Sequence, residues 1–178
     1  QDDIVFYKDS REIEIITASK SAKSLSELPF TIHVVTHDEI INNNLYNLID
    51  VLKSMPGIRT SYPGSGEIGN YFEIRGFTGN FYAVLLINGI PIKPTCVKGM
   101  PLGTQLPIRQ AERIEIIYGP SASLYGNDAV VGVINIITKN VEQRNFVRAD
   151  VSLGNNEYNY FNFTIGGKAG KNKNILKF

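Results

Sequence analysis

Residues 112–126 read ERIEIIYGPSASLYG and residues 132–139 read GVINIITK, and these two runs say more about this chain than any other part of it. The first run begins with β-branched residues between charged ones, which is typical of a strand. Gly119–Pro120 then ends that strand and opens a short helix. The second run is rich in Val and Ile and predicts another strand. No catalytic set of side chains gathers along either run, so they indicate a structural or binding role.

Composition sets the outer limits of the function. The 178 residues are 43% hydrophobic and 20% charged, which is enough for one globular core with some excess. Lys and Arg total 18 against 17 Asp and Glu, so the net charge is +1 at pH 7. A nearly neutral chain has no electrostatic reason to bind nucleic acid or another polyanion. We therefore expect no nucleic-acid partner.

The cysteine content and the first residue bear on the compartment. The chain has one cysteine, Cys96, and starts at Gln1 rather than Met. A single cysteine excludes an internal disulfide framework. An exported protein starts without Met after its signal peptide is removed, and an artificially chosen start gives the same pattern. No apolar run approaches the roughly 20 residues of a membrane-spanning helix, so any membrane role must come through strands.

Three regions follow from the pattern along the chain. Residues 1–28 have a short apolar patch and then a polar run at 19–24, which predicts a flexible N-terminal segment. Residues 29–140 mix helical and strand patterns and predict the folded domain. Residues 141–178 have a pattern of their own, with a strict period of two.

Short helices and strands are predicted within residues 29–140. Thr36 and Glu39 form a capping box that starts one short helix. Asn44 is predicted to cap a second helix, whose apolar stripe stops before Pro56–Gly57. Asn88–Gly89 predicts a tight hairpin turn. Three strand patterns lie near it, at Tyr71–Arg75, Ala83–Asn88 and Ile90–Ile92. Long loops rich in Gly, Pro and Asn connect these elements.

Residues 146–153 alternate between apolar and polar side chains and predict a strand, and residues 161–165 alternate in the same way after a turn at Asn155–Asn156. This period of two, with one fully apolar face, is the pattern of transmembrane barrel strands of about 10 residues, and a half-buried soluble hairpin gives the same pattern. The residues after Asn140 are far too few for a closed barrel, which needs about 8 strands. They predict a first barrel hairpin and the start of a third strand. Without barrel neighbours, such a segment is expected to make the isolated chain self-associate.

Four motifs in sequence order resemble the plug domain of TonB-dependent outer-membrane receptors. Residues 12–18 (EIEIITA) are similar to the TonB box, and residues 48–58 (LIDVLKSMPGI) to the family's plug helix and its Pro-Gly stop. Ile74–Arg75–Gly76 matches the family's I-R-G strand end, and residues 112–139 match its longest motif. Many members carry a positive residue where this chain has Tyr118, so a charge contact at that position is not implied here.

The resemblance implies a partner for the N-terminal segment. An Ile-rich strand on a flexible tether can add to the edge of a partner's sheet, where main-chain hydrogen bonds give affinity. We expect the periplasmic C-terminal domain of TonB to bind in this way. A disordered terminus with incidental isoleucines is the alternative. The expected TonB-binding residues are Ile13, Glu14, Ile15, Ile16, Thr17 and Ala18.

The resemblance also implies ligand-contacting loops at the extracellular apex of the plug and charged contacts to the barrel wall. The apex loops are residues 62–66, 78–82 and 93–104, and the expected ligand contacts in them are Tyr62, Phe81, Tyr82, Lys98 and Met100. The expected plug-to-barrel contacts are Arg75, Arg113 and Glu115. Ordinary surface loops and solvated strand charges are the alternatives for these residues.

Other chemical patterns in the sequence do not support a cofactor, a metal or catalysis. Residues 64–69 fit G-x-G-x-x-G, but they lead into a strand, whereas dinucleotide binding needs a strand before and a helix after. His33 and His37 are not expected to converge, and Cys96 with Met100 lacks a third soft ligand. We expect no cofactor, no resident metal and no enzymatic turnover.

The sequence therefore predicts an α+β plug domain with a mixed central β-sheet, short helices and long apex loops, followed by the first strands of an incomplete transmembrane β-barrel. The resemblance implies the gating and ligand-contacting part of an importer in a Gram-negative outer membrane. The plug would lie inside the barrel lumen with its N-terminus periplasmic, and the cargo would be a ferric siderophore or haem, with cobalamin, other metal complexes and sugars open. The alternative is a free-standing periplasmic binding or interaction module.

Overall fold

The computed structural model describes residues 14–15, 23–24, 31–61, 70–92, 100–106, 108–121, 125–139, 146–154, 159–169 and 174–177. The chain divides into two compact units, Gln1–Thr138 and Lys139–Phe178. The first unit combines a mixed sheet with short helices, and the second is a small antiparallel sheet. The predicted α+β class is confirmed.

The first unit contains three helices and ten strands among its described residues. The helices are α1 (His37–Asn42), α2 (Leu48–Ser54) and α3 (Gly79–Tyr82). The strands are β1 (Glu14–Ile15), β2 (Lys23–Ser24), β3 (Thr31–Thr36), β4 (Ile58–Ser61), β5 (Tyr71–Ile74), β6 (Phe77–Thr78), β7 (Ala83–Ile87), β8 (Ile90–Ile92), β9 (Ala111–Tyr118) and β10 (Gly132–Thr138).

The central sheet has five strands in the order β3-β9-β10-β7-β8. Only the β10–β7 pair is parallel, and the other three neighbouring pairs are antiparallel. The two runs at 112–126 and 132–139 supply β9 and β10, two of the three inner strands, which pair with each other over seven positions. Between them, the Tyr125 N–H donates to the Ser121 carbonyl at 3.0 Å.

Apolar side chains on both faces of this sheet are buried. The larger core lies on the face of Ile114, Ile116 and Ile134 and includes the buried side of α1 and α2. A smaller cluster on the opposite face contains Ile117 and Val133. Burial on both faces explains why β9 and β10 read as nearly continuous Val and Ile runs.

Side-chain caps fix the starts of α1 and α2. Thr36 and Glu39 form the predicted capping box of α1. The prediction that Asn44 caps the second helix is wrong: Asn44 has φ 52°, and Asn47 caps α2 by accepting a bond from the Asp50 N–H. Asn can occupy the left-handed region at a helix end as readily as it can cap a helix, so neighbouring asparagines compete for both roles. Among the described residues, no helix is long and apolar enough to cross a membrane.

Two hairpin turns use left-handed backbone conformations. Asn88 and Gly89 have φ 50° and 80°, as the predicted hairpin between β7 and β8 requires. Arg75 and Gly76 have φ 50° and 86° and join β5 to β6 in the three-stranded sheet β4-β5-β6. An arginine in this conformation is uncommon and is stabilised here by the Arg75 N–H donating to the Gly57 carbonyl at 3.1 Å.

The second unit is an antiparallel sheet of β11 (Phe146–Leu153), β12 (Asn159–Ala169) and β13 (Asn174–Lys177). Its apolar side chains are exposed on one face, and Val147, Leu153 and Phe161 are each at least 70% exposed. On the other face, Arg148 Nε donates to Asp150 at 2.9 Å, and Asn162 donates to the same carboxylate at 3.1 Å. One face is thus apolar and unpacked while the other is a hydrogen-bonded polar layer.

Candidate functional site

The structure places the five predicted ligand contacts in three different situations. Tyr62 and Lys98 lie outside the described residues. Phe81 and Tyr82 are 38% and 45% exposed and belong to α3, so the predicted loop at 78–82 is a strand end and a helical turn. Met100 is buried, and its side chain packs in the larger core.

Phe81 and Tyr82 belong to an exposed group of three aromatic rings. The Tyr82 ring meets the edges of Phe81 and Phe77 at centroid distances of 6.4 and 6.2 Å. Phe77 is 54% exposed and was not predicted as a contact. Edge-to-face rings with a phenol hydroxyl at one end form a surface that can pack against an apolar or aromatic solute and also donate a hydrogen bond.

Asn80 joins α3 to Asn70 and to strand β5. Its side chain is 5% exposed, and Nδ2 donates to the Asn70 carbonyl at 3.1 Å. Its Oδ1 accepts from the Phe72 N–H at 3.3 Å. Gly79 is needed beside it, because a Cβ atom at Gly79 would overlap the Phe72 ring. Asn80 is a site residue that sequence reasoning missed, since a lone Asn in a Gly-rich run gives no signal of its buried partners.

The segment at 100–106 is fixed against helix α2. The Ile49 N–H donates to the Leu102 carbonyl at 2.9 Å, and the Leu102 side chain is buried. Further along, the guanidinium of Arg109 lies over the Tyr46 ring, 4.7 Å from its centroid. Within the predicted loop at 93–104, Met100 and Leu102 therefore belong to the core.

The predicted TonB box is described only at Glu14–Ile15. These residues form β1, which pairs antiparallel with Lys23–Ser24 of β2. Ile13, Ile16, Thr17 and Ala18 lie outside the described residues. The backbone at Glu14–Ile15 is thus extended, which is the conformation that strand addition to a partner requires.

Arg75 lies at an open cavity at one end of the small sheet. The cavity is about 490 Å³ and its lining includes Arg59, Glu73 and Arg75. Arg59 and Glu73 are cross-strand neighbours on β4 and β5. Two arginines and one glutamate give this surface a local excess of positive charge, which suits an acidic partner group.

Arg113 and Glu115 bind each other within the first unit. Arg113 Nε donates to Glu115 Oε1 at 2.8 Å, and Glu115 is completely buried. Arg113 also lies 3.5 Å from the half-exposed carboxylate of Glu112. Glu115 therefore holds the Arg113 guanidinium in place from inside the fold, while Arg113 and Glu112 reach the surface.

Tyr118 ends β9 with its side chain in the larger core. The residue is 6% exposed, and its hydroxyl has no hydrogen-bond partner among the described residues. Burial raises the pKa of Tyr118 to about 12, and the positive charge of Arg75 opposes part of that shift. The hydroxyl is therefore neutral at physiological pH and available as a donor.

We expect Tyr118→Phe to remove a pH dependence of stability above pH 10. The pKa of Tyr118 in the folded chain lies above its ordinary value of 10. The stability that the neutral Tyr118 hydroxyl contributes is therefore complete below pH 10 and is lost as pH rises towards 12. The loss is about 2–3 kcal/mol in the free energy of unfolding. Urea unfolding of both proteins at pH 8 and pH 11.5 measures it. Because the lost hydroxyl has no described partner, the variant should be at least as stable at pH 8, and a loss above about 1 kcal/mol there would show that the hydroxyl is bonded, for example to water.

No three His, Cys, Asp or Glu side chains come together as a metal site in the part of the chain that the structure describes. His33 and His37 make contacts with different residues. His33 packs edge-on against Tyr118 at 5.5 Å, and burial lowers its pKa. His37 Nδ1 is hydrogen-bonded to the Ala111 carbonyl at 2.9 Å.

A protein-family model described as the TonB-dependent receptor plug domain matches residues 24–133. This range covers α1 to α3, the four central-sheet strands β3, β7, β8 and β9, and the first two residues of β10. It ends one residue after the start of β10, before the second unit begins.

Two curated proteins and one solved structure illustrate the similarity. The chain is 32% identical over 179 residues to the vitamin B12 transporter BtuB of Vibrio vulnificus strain CMCP6, covering 97% of the chain and 29% of that protein. It is 32% identical over 139 residues to the iron-regulated outer membrane virulence protein of Vibrio cholerae serotype O1, covering 75% and 21%. The pyoverdine outer membrane receptor FpvA of Pseudomonas aeruginosa PAO1, bound to pyoverdine, has a TM-score of 0.78 at 24% identity, covering 93% of the chain and 23% of FpvA. The chain thus spans less than a third of each.

Proposed function

This chain belongs to the TonB-dependent receptor plug domain family, and we propose that it is the gating and ligand-contacting part of a receptor that imports a scarce nutrient across the outer membrane. The family is one of TonB-dependent receptors, and the relatives named above include a transporter and a receptor, so the prediction of no enzymatic turnover is confirmed. The observation that carries the importer proposal is the sheet that follows the plug. Its exposed apolar face suits lipid and its polar face suits a lumen, whereas a free-standing module would have to cover that face.

We place the plug inside the barrel lumen of the complete receptor, with its N-terminus towards the periplasm. Residues 146–177 would supply the first barrel strands. Arg75 and Arg113 would face carboxylates of the barrel wall, with Glu115 orienting Arg113 from within. In the isolated chain, the same apolar face is expected to cause self-association, because no lipid covers it.

We propose a ferric siderophore or haem as the cargo. The support is the exposed aromatic group of Phe77, Phe81 and Tyr82, which suits catecholate, aromatic or porphyrin surfaces. We also propose Tyr62 and Lys98 as cargo contacts, because they belong to the predicted apex loops at 62–66 and 93–104. The proteins named above include an iron-regulated outer membrane virulence protein, a pyoverdine receptor and a vitamin B12 transporter, so cobalamin is the competing cargo.

We expect the chain to bind the purified periplasmic C-terminal domain of TonB through residues 13–18. The measurement is calorimetric titration of that domain with the 178-residue chain and with a chain starting at Pro29. The shorter chain keeps every described element from β3 onward and should lose at least 90% of the binding. Equal binding by both chains would refute the box assignment. No binding by either would favour the free-standing module.

A further inference from the structure

Three segments with proposed cargo contacts contain or adjoin residues that lie near one another in the structure, namely Asn80, Asn70 and Gly103. Asn70 lies four residues after the predicted loop at 62–66, Gly103 lies within the predicted loop at 93–104, and α3 carries Phe81 and Tyr82. We propose that Asn80 is a positioning residue that couples these three segments to one another and to the first turn of helix α2. The proposal rests on the proposed function only in assigning cargo contacts to these segments.

The first step of the coupling is the buried amide of Asn80. It donates to the Asn70 carbonyl and accepts from the Phe72 N–H, so it uses both ends of its side chain. At 5% exposure, water cannot readily replace it. Removing it leaves a carbonyl and an N–H of the same chain segment without their partner, which is costly in a buried site.

The second step runs from Asn70 to the segment at 100–106. A methyl group at Gly103 would lie 3.3 Å from Asn70 Nδ2 and 3.1 Å from Gln105 Oε1, so these side chains already fill the space beside Gly103. Displacement of Asn70 therefore changes the packing of Gly103. The Leu106 N–H donates to the Gly103 carbonyl at 3.1 Å and reports on that position.

The third step joins this segment to α2. Leu102 precedes Gly103, and its carbonyl accepts the Ile49 N–H at 2.9 Å. Ile49 is the second residue of α2, and first-turn amides have no partner within their own helix. Asn47 satisfies the Asp50 amide in the same turn. The helix start is thus completed jointly by its own cap and by the base of the neighbouring loop.

A direction of coupling follows from these contacts. A solute that moves α3 or either loop base changes the position of the Leu102 carbonyl and so the stability of the first turn of α2. The contacts run in the order Asn80, Asn70, Gly103, Leu102 and Ile49.

Amide hydrogen exchange of the 178-residue chain, followed by NMR, tests the coupling without any cargo. In Asn80→Ala, we expect exchange at Phe72, Leu106 and Ile49 to become at least tenfold faster, with no change at the amides that pair β9 with β10. Asn88→Ala is the matched control, because Asn88 Oδ1 accepts from the Thr138 N–H at 2.9 Å in a distant turn. It should speed exchange at Thr138 and leave Leu106 and Ile49 unchanged.

A second variant separates coupling from general loosening. Asn80→Asp keeps the acceptor for Phe72 and loses the donor to Asn70, so Leu106 and Ile49 should exchange faster while Phe72 stays protected. Faster exchange at Phe72 alone in Asn80→Ala would overturn the proposal. Equal acceleration throughout β9 and β10 in both variants would overturn it too, because Asn80 would then be merely structural. Intact coupling in a chain that binds no TonB domain would instead count against the proposed function.

Discussion

Gly79→Ala is expected to lower the free energy of unfolding by about 3 kcal/mol or more, at the upper end of overpacking effects. A Cβ atom at Gly79 would overlap the ring of Phe72, and Phe72 is completely buried. The ring cannot move into solvent without leaving the core, and close-packed interiors have no spare volume to receive it. Urea unfolding followed by circular dichroism measures the change.

Two further variants identify the cause. Phe72→Leu removes the ring, so Gly79→Ala should cost about 1–3 kcal/mol less in that background than in the native chain. Gly76→Ala adds a methyl group where no atom lies within 4 Å, and its φ of +86° predicts a backbone cost of about 1–2 kcal/mol that Phe72→Leu does not change. If Gly79→Ala costs the same with and without the Phe72 ring, the packing of α3 on Phe72 is refuted.

Local signals in the sequence were read correctly where the interaction is itself local. The capping box of Thr36 and Glu39 and the hairpin at Asn88–Gly89 each depend on residues within three positions of each other. The strand predicted at 146–153 has the same bounds in the structure, because its alternation is strict. Such elements are determined by short-range chemistry that the sequence displays directly.

The loop predicted at 93–104 shows where local reading fails. Gly, Pro and Lys made the whole run look like a surface loop, but Met100 and Leu102 are buried against α2. Their partners lie about fifty positions earlier, and only the tertiary fold brings them together. Isolated apolar residues within a Gly- and Pro-rich run are the signal that could have marked this anchor.

The burial of the charged residue Glu115 also could not be predicted from the local sequence. In β9, Arg113 and Glu115 alternate with Ile114 and Ile116, which reads as a strand with one solvated face. The smaller cluster, which includes Tyr125 and Ala129, covers that face instead. Burial and then the negative charge of Glu115 raise the pKa of Tyr125, which indicates that the two groups are near each other. No sequence pattern showed that Tyr125 and Ala129 would pack over this face of the strand.

In the complete receptor, Ile15→Pro is expected to abolish energised uptake while the cargo still binds to cells. Proline removes a main-chain donor and restricts the preceding residue, so strand addition to TonB should fail. The measurement is accumulation of a radiolabelled ferric siderophore, or haem, that supports growth of the parental strain. Binding at 0 °C and uptake at 37 °C are recorded separately.

Lys23→Pro is the matched control for this variant. Lys23 is the register partner of Ile15 in the β1–β2 pair, so proline at either position disrupts the same pairing. Lys23 lies outside residues 13–18, and uptake should therefore stay within about twofold of the native receptor, since β-augmentation needs only the box itself. Loss of uptake in both variants would assign the function to the β1–β2 pair rather than to the box. Normal uptake in Ile15→Pro would mean that TonB engages another part of the chain.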